Sequence, residues 1–497
     1  MVNVRLVAMV LGFKLGAKVV TKSLFSLPAL LRSQAIFKEL ICGTQRLGRL
    51  HASTRILRDS FTVGHRPYLC GMEIKNPQTS QEAMSLENAH GAHNYHPLPV
   101  VLDRGEGVHV WDIEGKQYFD FLSAYSAVNQ GHCHPRIVNA MTEQAQKLTL
   151  TSRAFFNSNL GKYEQFVTSF FGYDKVLPMN TGAEAVETAI KIARKWAYDV
   201  KGVPANQAKI ITCSENFHGR TTTIVSFSTD GVATGGFGPY TPGFEVIPYN
   251  DLTALKAALE DPNVAGFLVE PIQGEAGVNT PDDDYIVQAH ALCKAANVLF
   301  IADEVQTGIA RTGALLATCG KCTCAGACER QPTFAKADVL ILGKALSGGA
   351  YPVSAVLADN EIMGVIHPGQ HGSTFGGNPV AAEVGIAALL VIDEEHLAQN
   401  ARTMGERFRE AMEQLASESD LIVKARGRGL LNAIIINDSP ESSTAWDLCV
   451  AMKDNGLLAK PTHGNIIRFA PPLVITEDQM DACITIIRDT VLGFKRA

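Results

Sequence analysis

Residues 339–342 read Val-Leu-Ile-Leu, and the run passes through Gly343 into Lys344, with Ser347, Gly348, Gly349 and Pro352 close behind. An ammonium held against apolar surface loses hydration. Its pKa falls, and the free amine becomes a nucleophile toward an aldehyde, the chemistry of a Schiff-base lysine. An ordinary surface-loop lysine fits the same spacing. A P-loop lysine does not, because that motif needs Gly at 338 and Ser or Thr at 345, where this chain has Asp and Ala. Asp303 closes another apolar run, VLFIA. A carboxylate so placed needs a charged or hydrogen-bonding partner. A protonated pyridine nitrogen is one such partner; a structural ion pair or a helix N-cap position are others.

Two further stretches add to this pair. In NTGAEAVETAIKIARK, Thr181-Gly182 lies where an apolar run gives way to helical spacing. A helix N-terminus offers unpaired N–H groups and the positive end of a dipole, which suit a phosphate. In ENFHGR, residues 215–220, Phe217 can stack on an aromatic ring and Arg220 can grip a carboxylate. Glu270 ends a further apolar run. Each feature is weak alone. Together they point to pyridoxal phosphate, whose ring takes up electrons when a carboxylate such as Asp303 keeps its nitrogen protonated. A nicotinamide cofactor is disfavoured, since Gly427-Arg428-Gly429-Leu430-Leu431-Asn432 lacks a third glycine and a ribose-binding acid.

The elements that must hold these residues alternate along the chain. VLPMN, AKIITCS, TTTIVSFS (221–228), AGFLVEPI, NVLFIADE and DVLILGK read as strands, with helices after VLPMN and around 283–296. These are continuous apolar runs, as expected of a mostly parallel sheet buried under helices on both faces. The fold class is therefore α/β, and ligands in such sheets bind beyond the carboxyl ends of the strands. From about residue 380 long helical patterns mix with short strands, which reads as a smaller α+β domain.

Composition sets outer limits. The chain has 497 residues, 46% of them hydrophobic, and a net charge of -6, which argues against nucleic acid or an anionic membrane as main partner. Beyond the N-terminal region no apolar run approaches the ~20 residues of a membrane span. In residues 1–60, ten basic side chains from Arg5 to Arg58 face only Glu39 and Asp59. Basic and acid-poor is the profile of an organelle transit peptide, and a disordered basic tail fits it too.

From about residue 94 to the end the chain resembles the class III aminotransferases, enzymes of fold-type I that use pyridoxal phosphate, and within them the members acting on ornithine. The resemblance rests on NYHPLPV, DFLSAYSAVNQGHCHP, LTSRAFFN, PMNTGAEA, VEPIQGEAGV, LFIADEVQTG, LGKALSGG, HGSTFGGNP, LLAKPTHG and IIRFAPPL. It implies a homodimer with active sites at the interface and no catalytic metal. It assigns Lys344 to the cofactor aldehyde and to proton transfer, Asp303 to the ring nitrogen, Phe217 and Val305 to the ring faces, and Gln306 to the phenolic oxygen. Gly182 and Ala183 match the phosphate-binding helix start, Glu270 joins the cofactor set, and Ser373 and Thr374 match residues that reach the phosphate of the neighbouring subunit.

For substrates the resemblance implies ornithine and 2-oxoglutarate, with N-acetylornithine or 4-aminobutyrate as the alternative donors. Arg220 would hold the far carboxylate, Tyr95 the α-amino group, and Tyr125 would shape the pocket. Arg468 would hold the near carboxylate of the oxo acid. Glu275 would cover Arg468 during the ornithine half-reaction and leave it for the oxo acid.

The chain departs from the family at 317–338, where Cys319, Cys322, Cys324 and Cys328 follow the spacing C-x2-C-x-C-x3-C. Zinc binding, reversible disulfides exchanged with a thioredoxin-like partner, and free thiols all fit four such groups. The expected organisation is an extension at 1–60, a segment at 61–140 joining the small domain and the dimer interface, a large cofactor domain at 141–385 with the insertion at 317–335, and a small domain at 386–497. The expected compartment is the mitochondrial matrix, with the cytoplasm as alternative.

Overall fold

A computed structural model describes residues 76–320 and 335–495. The basic extension and Cys322, Cys324 and Cys328 lie outside the described residues. No described helix is long and apolar enough to cross a membrane.

After the helix Ser80–His90, three short strands form an antiparallel ladder: β1 (Leu102–Glu106), β2 (His109–Asp112) and β3 (Gln117–Asp120). The large sheet follows with β4 (Lys175–Met179), β5 (Lys209–Cys213), β6 (Phe244–Ile247), β7 (Val264–Val269), β8 (Leu299–Asp303), β9 (Val339–Leu342) and β10 (Ser354–Ala358), in the order β4-β10-β9-β8-β7-β5-β6. The pairs from β9 through β6 are parallel, and β10 runs antiparallel to both β9 and β4. This is the mostly parallel α/β sheet expected from the sequence.

The continuous apolar runs have the expected cause. Every residue of β7, β8, β9 and β10 is buried. Alternate side chains enter different cores. Val339 and Ile341 pack with Ala185, Ala189 and Ile192 of the helix Gly182–Trp196. Leu340 and Leu342 pack with Val384, Ala388 and Leu389 of the helix Pro379–Glu394.

Two readings of the sequence need correction. TTTIVSFS is not a strand: residues Ile224–Phe227 form a 3-10 turn. Thr221 Oγ1 accepts from Ile224 N at 3.2 Å, and Ser226 Oγ donates to Thr222 O at 2.7 Å. Such local hydroxyl bonds compete with a strand ladder, and β-propensity alone does not foresee them. Conversely, β6 is a short, incompletely buried edge strand after Pro242 and Gly243 that the apolar pattern does not mark.

The C-terminal part contributes β11 (Ile422–Arg428), β12 (Leu431–Ile436), β13 (Leu457–Leu458), β14 (Lys460–Thr462) and β15 (Ile466–Phe469). Four of these form a sheet in the order β11-β12-β15-β14, while β13 pairs in parallel with β3. Segments more than 300 residues apart in sequence thus share one small sheet.

Candidate active site

The carboxyl ends of the parallel strands gather the candidate residues around one cavity. It measures about 220 Å³ and is lined by Gly182, Ala183, Phe217, His218, Gly219, Glu270, Glu275, Asp303, Val305, Gln306 and Lys344. A larger neighbour of about 680 Å³ shares Phe217, Glu275 and Lys344 and adds Tyr95, Tyr125 and Arg220.

Lys344 follows β9 in a tight 3-10 turn and adopts φ +40°. A left-handed side-chain-bearing residue is strained, and its placement here aims the amine rather than relaxing the turn. Burial holds its pKa below the ordinary lysine value, against the opposing pull of Glu275, Asp303 and Glu270. The amine is therefore more readily deprotonated than a solvated one.

Asp303 ends β8 and is 4% exposed. Its Oδ1 accepts from Val305 N at 3.0 Å, and its Oδ2 lies 2.6 Å from His218 Nδ1. An imidazole N–H facing a carboxylate donates to it. The other ring nitrogen, Nε2, is buried without a protein partner. His218 was not singled out from the sequence, although it sits between Phe217 and Gly219 in the stretch that was. Only the fold brings it 85 residues across to Asp303.

The helix Gly182–Trp196 starts beside Lys344. Thr181 Oγ1 accepts from Glu184 N, and the Glu184 carboxylate accepts from Thr181 N at 2.9 Å, a complete capping box. Its first residues, Gly182 and Ala183, line the cavity, and a helix start leaves N–H groups without intrahelical partners. Gly182 allows the close approach, since a Cβ there would come 3.0 Å from Val305 Cγ1. Ser373 Oγ accepts from Asn180 Nδ2 of the same chain at 2.9 Å, and Thr374 is exposed.

Glu270 lies at the end of β7, 6% exposed, with Oε2 accepting from Phe217 N at 3.0 Å. Burial, reinforced by Asp303, pushes its carboxyl well above the usual range. These residues fit pyridoxal phosphate. The small cavity has an amine at one edge, an acid at another, Phe217 and Val305 among its walls and a helix start at its end. Gln306 lines it with Oε1 buried and unpartnered by protein.

Glu275, which lines both cavities, belongs to the charged pair expected for substrates. Arg468, on β15 and 2% exposed, donates from Nη1 to Glu275 Oε1 at 2.9 Å and to Gly274 O at 3.2 Å. Gln306 Nε2 donates to the same Glu275 oxygen at 2.9 Å. Burial would raise the Glu275 carboxyl, but Arg468, Lys344 and these hydrogen bonds overcome it and hold it below its ordinary value. The Tyr125 ring lies 5.2 Å under the Arg468 guanidinium. Arg220 is the opposite case: its side chain is 55% exposed, 5.4 Å above the Phe217 ring and 3.8 Å from Asp230. Tyr95 is 69% exposed.

Cys319 ends the buried turn Ala317–Cys319, whose Ala317 and Thr318 N–H groups donate to the fully buried Glu304 carboxylate at 3.1 and 2.8 Å. The other three cysteines of the cluster are outside the described residues.

Comparison with known proteins agrees with this geometry. Residues 90–491 match the family model for class-III aminotransferases. The mitochondrial ornithine aminotransferase of Rattus norvegicus is 56% identical over 420 residues, 84% of this chain and 92% of its own length. Among solved structures, the acetylornithine aminotransferase of Elizabethkingia anophelis is 60% identical, with a TM-score of 0.75 over 85% of this chain and 100% of that one. The ornithine aminotransferase of Toxoplasma gondii ME49 is 47% identical, with a TM-score of 0.79 over 84% and 96%. With an amine, a buried acid and a helix start converging on one cavity, and with this likeness across most of its length, the chain belongs to the class-III aminotransferases.

Proposed function

We propose that this enzyme moves the terminal amine of L-ornithine to 2-oxoglutarate, giving glutamate and glutamate 5-semialdehyde, which cyclises to pyrroline-5-carboxylate. The observation that carries the proposal is the asymmetry of the two arginines. Arg468, near the amine of Lys344, is covered by Glu275 at 2.9 Å, while Arg220 stands half open. A donor that binds its carboxylate at Arg220 must point its other end, the terminal amine, toward Lys344. An α-amino acid that binds its carboxylate at Arg468 must first displace Glu275.

Bound pyridoxal phosphate supplies an aldehyde that condenses with amines and a ring that accepts electrons from the adjoining carbon. The chain does the rest. Asp303, oriented by His218, would pair with the ring nitrogen and favour its protonated form. Phe217 and Val305 would pack against the ring, Gln306 would bond the phenolic oxygen, and Gly182 and Ala183 would offer backbone N–H groups to the phosphate. Lys344 Nζ, with its lowered pKa, would be the base that takes the substrate-carbon proton and the acid that gives it back. Tyr95 accepts from the donor's α-amino group. Tyr125 narrows the pocket. In the second half-reaction Glu275 leaves Arg468, which then holds the near carboxylate of 2-oxoglutarate while Arg220 holds the far one.

The active unit in this reading is a homodimer, with Ser373 and Thr374 reaching the partner's phosphate. Phe155, Phe156 and Phe375 support it, being 69%, 106% and 49% exposed. Burying such rings against a second copy is favourable. The organisation is a large cofactor domain at 141–385 and a small one built from the described part of 61–140 and from 386–497, and the basic residues at 1–60 direct the chain to the mitochondrial matrix. Cys319, Cys322, Cys324 and Cys328 form a redox-responsive group open to a thioredoxin-like partner.

A second donor, N-acetylornithine, is favoured by the likeness to the Elizabethkingia anophelis enzyme. Rates with ornithine, N-acetylornithine and 4-aminobutyrate separate the readings. Ornithine is expected to exceed both others by about 100-fold in kcat/KM. Glu275→Gln is expected to raise use of plain α-amino acids about tenfold relative to ornithine. Equal rates on all three donors contradict the proposal.

A further inference from the structure

We propose that Asp230 reads the α-ammonium of the amine donor, so that the enzyme selects donors whose far end is a zwitterion. This rests on ornithine being the donor. The cavity that holds Lys344, Tyr95, Tyr125 and Arg220 shares four walls with a second one of about 720 Å³. Both are lined by Phe217, Arg220, Ala233 and Glu275, and the second adds Asp230. Arg220 stands where the two meet.

Ornithine held by its α-carboxylate on Arg220 carries an ammonium one carbon away. The Tyr95 hydroxyl can accept one of its hydrogen bonds, but the positive charge also calls for an anionic neighbour. Three acids line the two cavities: Glu215, Asp230 and Glu275. Glu275 is engaged by Arg468 and Gln306. Glu215 accepts from the Asn279 side-chain amide at 3.0 Å. Asp230 is the acid beside Arg220. Its Oδ1 accepts from Val232 N at 2.9 Å, which fixes the carboxyl, while Oδ2 lies 3.8 Å from Arg220 Nη2. That separation exceeds a hydrogen bond, so the guanidinium and the carboxylate keep capacity for a ligand bearing both charges.

The same acid disfavours far ends of other chemistry. In N-acetylornithine the α-nitrogen is a neutral amide, and 5-aminopentanoate has no nitrogen there. The far carboxylate of 2-oxoglutarate arrives without a counter-charge of its own. Asp230 therefore favours the donor and mildly opposes the acceptor at one arginine.

The test uses the full chain with bound cofactor and the variants Asp230→Asn and Asp230→Ser. Both keep a side chain that can accept from Val232 N, so the local turn survives, and neither carries charge. Steady-state rates are measured with ornithine, N-acetylornithine, 5-aminopentanoate and 2-oxoglutarate, and ornithine half-saturation is followed by cofactor absorbance. The ratio of kcat/KM for ornithine to that for 5-aminopentanoate is expected to fall about tenfold, through a higher KM for ornithine. KM for 2-oxoglutarate is expected to stay level or fall. An unchanged ratio overturns the inference, and so does an equal loss on every substrate, which marks a merely structural role. Failure of the unaltered enzyme to use ornithine overturns the underlying function as well, whereas ornithine turnover with an unmoved ratio overturns the role of Asp230 alone.

Discussion

Glu270 and Glu275 line the same cavity, yet burial and partners push their carboxyls in opposite directions. Glu270 has a backbone N–H from Phe217 and no basic side chain in hydrogen-bond contact, so burial dominates and pushes its carboxyl up. The folded chain binds the carboxyl proton more tightly than the unfolded chain. Its favourable share is complete below the ordinary carboxylate pKa, near about 4.3, and is lost as pH rises toward the folded value. Glu270→Gln keeps an acceptor for Phe217 N–H and has no proton to lose. The melting temperature of this variant, relative to the unaltered cofactor-free chain, is expected to rise between about pH 5 and about pH 8. A difference that stays flat across that window contradicts the assignment. Glu275 has the reverse sign: paired with Arg468, its contribution is present above the ordinary carboxylate pKa and lost in acid.

At the scale of elements, the turn that carries Tyr125 is the least expected. Ser123, Ala124, Tyr125 and Ser126 have φ values of 48°, 46°, 61° and 69°, a run of left-handed residues without a glycine. Each costs about 1–2 kcal/mol for an L-residue. Asp120 Oδ1 anchors the run by accepting from Leu122 N at 2.8 Å and Ser123 N at 2.9 Å. Its product is the Tyr125 ring beneath Arg468. Ala124 is exposed, so Ala124→Gly leaves no cavity and relieves local strain. It is expected to stabilise the protein by about 0.5–1 kcal/mol, after the entropy of glycine is counted. It also loosens Tyr125 and so lowers the preference for ornithine over 4-aminobutyrate. Denaturant unfolding and the two donor rates check this; a destabilised variant contradicts the strain. Nothing in SAYSAVN announced this turn, because serine, alanine and tyrosine are ordinary right-handed or strand residues. The strands β7, β8 and β9 were legible for the opposite reason. Buried on both faces, they admit almost no polar residue, and a strand so enclosed writes itself as an unbroken apolar run.

For the whole molecule, the sheet collects side chains that lie far apart in sequence. Lys344, Asp303, Phe217 and Glu270 each follow an element that ends at one edge, so their convergence followed from recognising parallel strands. Arg468 reaches the site from the other direction, on β15 of the C-terminal sheet, and the resemblance to the family, not any local pattern, pointed to it. His218 and Asp230 escaped because their meaning depends on partners, Asp303 and Arg220, that only the folded chain supplies. Catalysis depends above all on Lys344 being the amine that engages the cofactor. Hydride reduction of the cofactor-bound protein, followed by proteolysis and peptide mapping, tests this directly. The prediction is one stable cofactor adduct, on Lys344, with loss of the cofactor's visible absorbance and of activity. An adduct on any other lysine, or retention of full activity by Lys344→Ala, contradicts it.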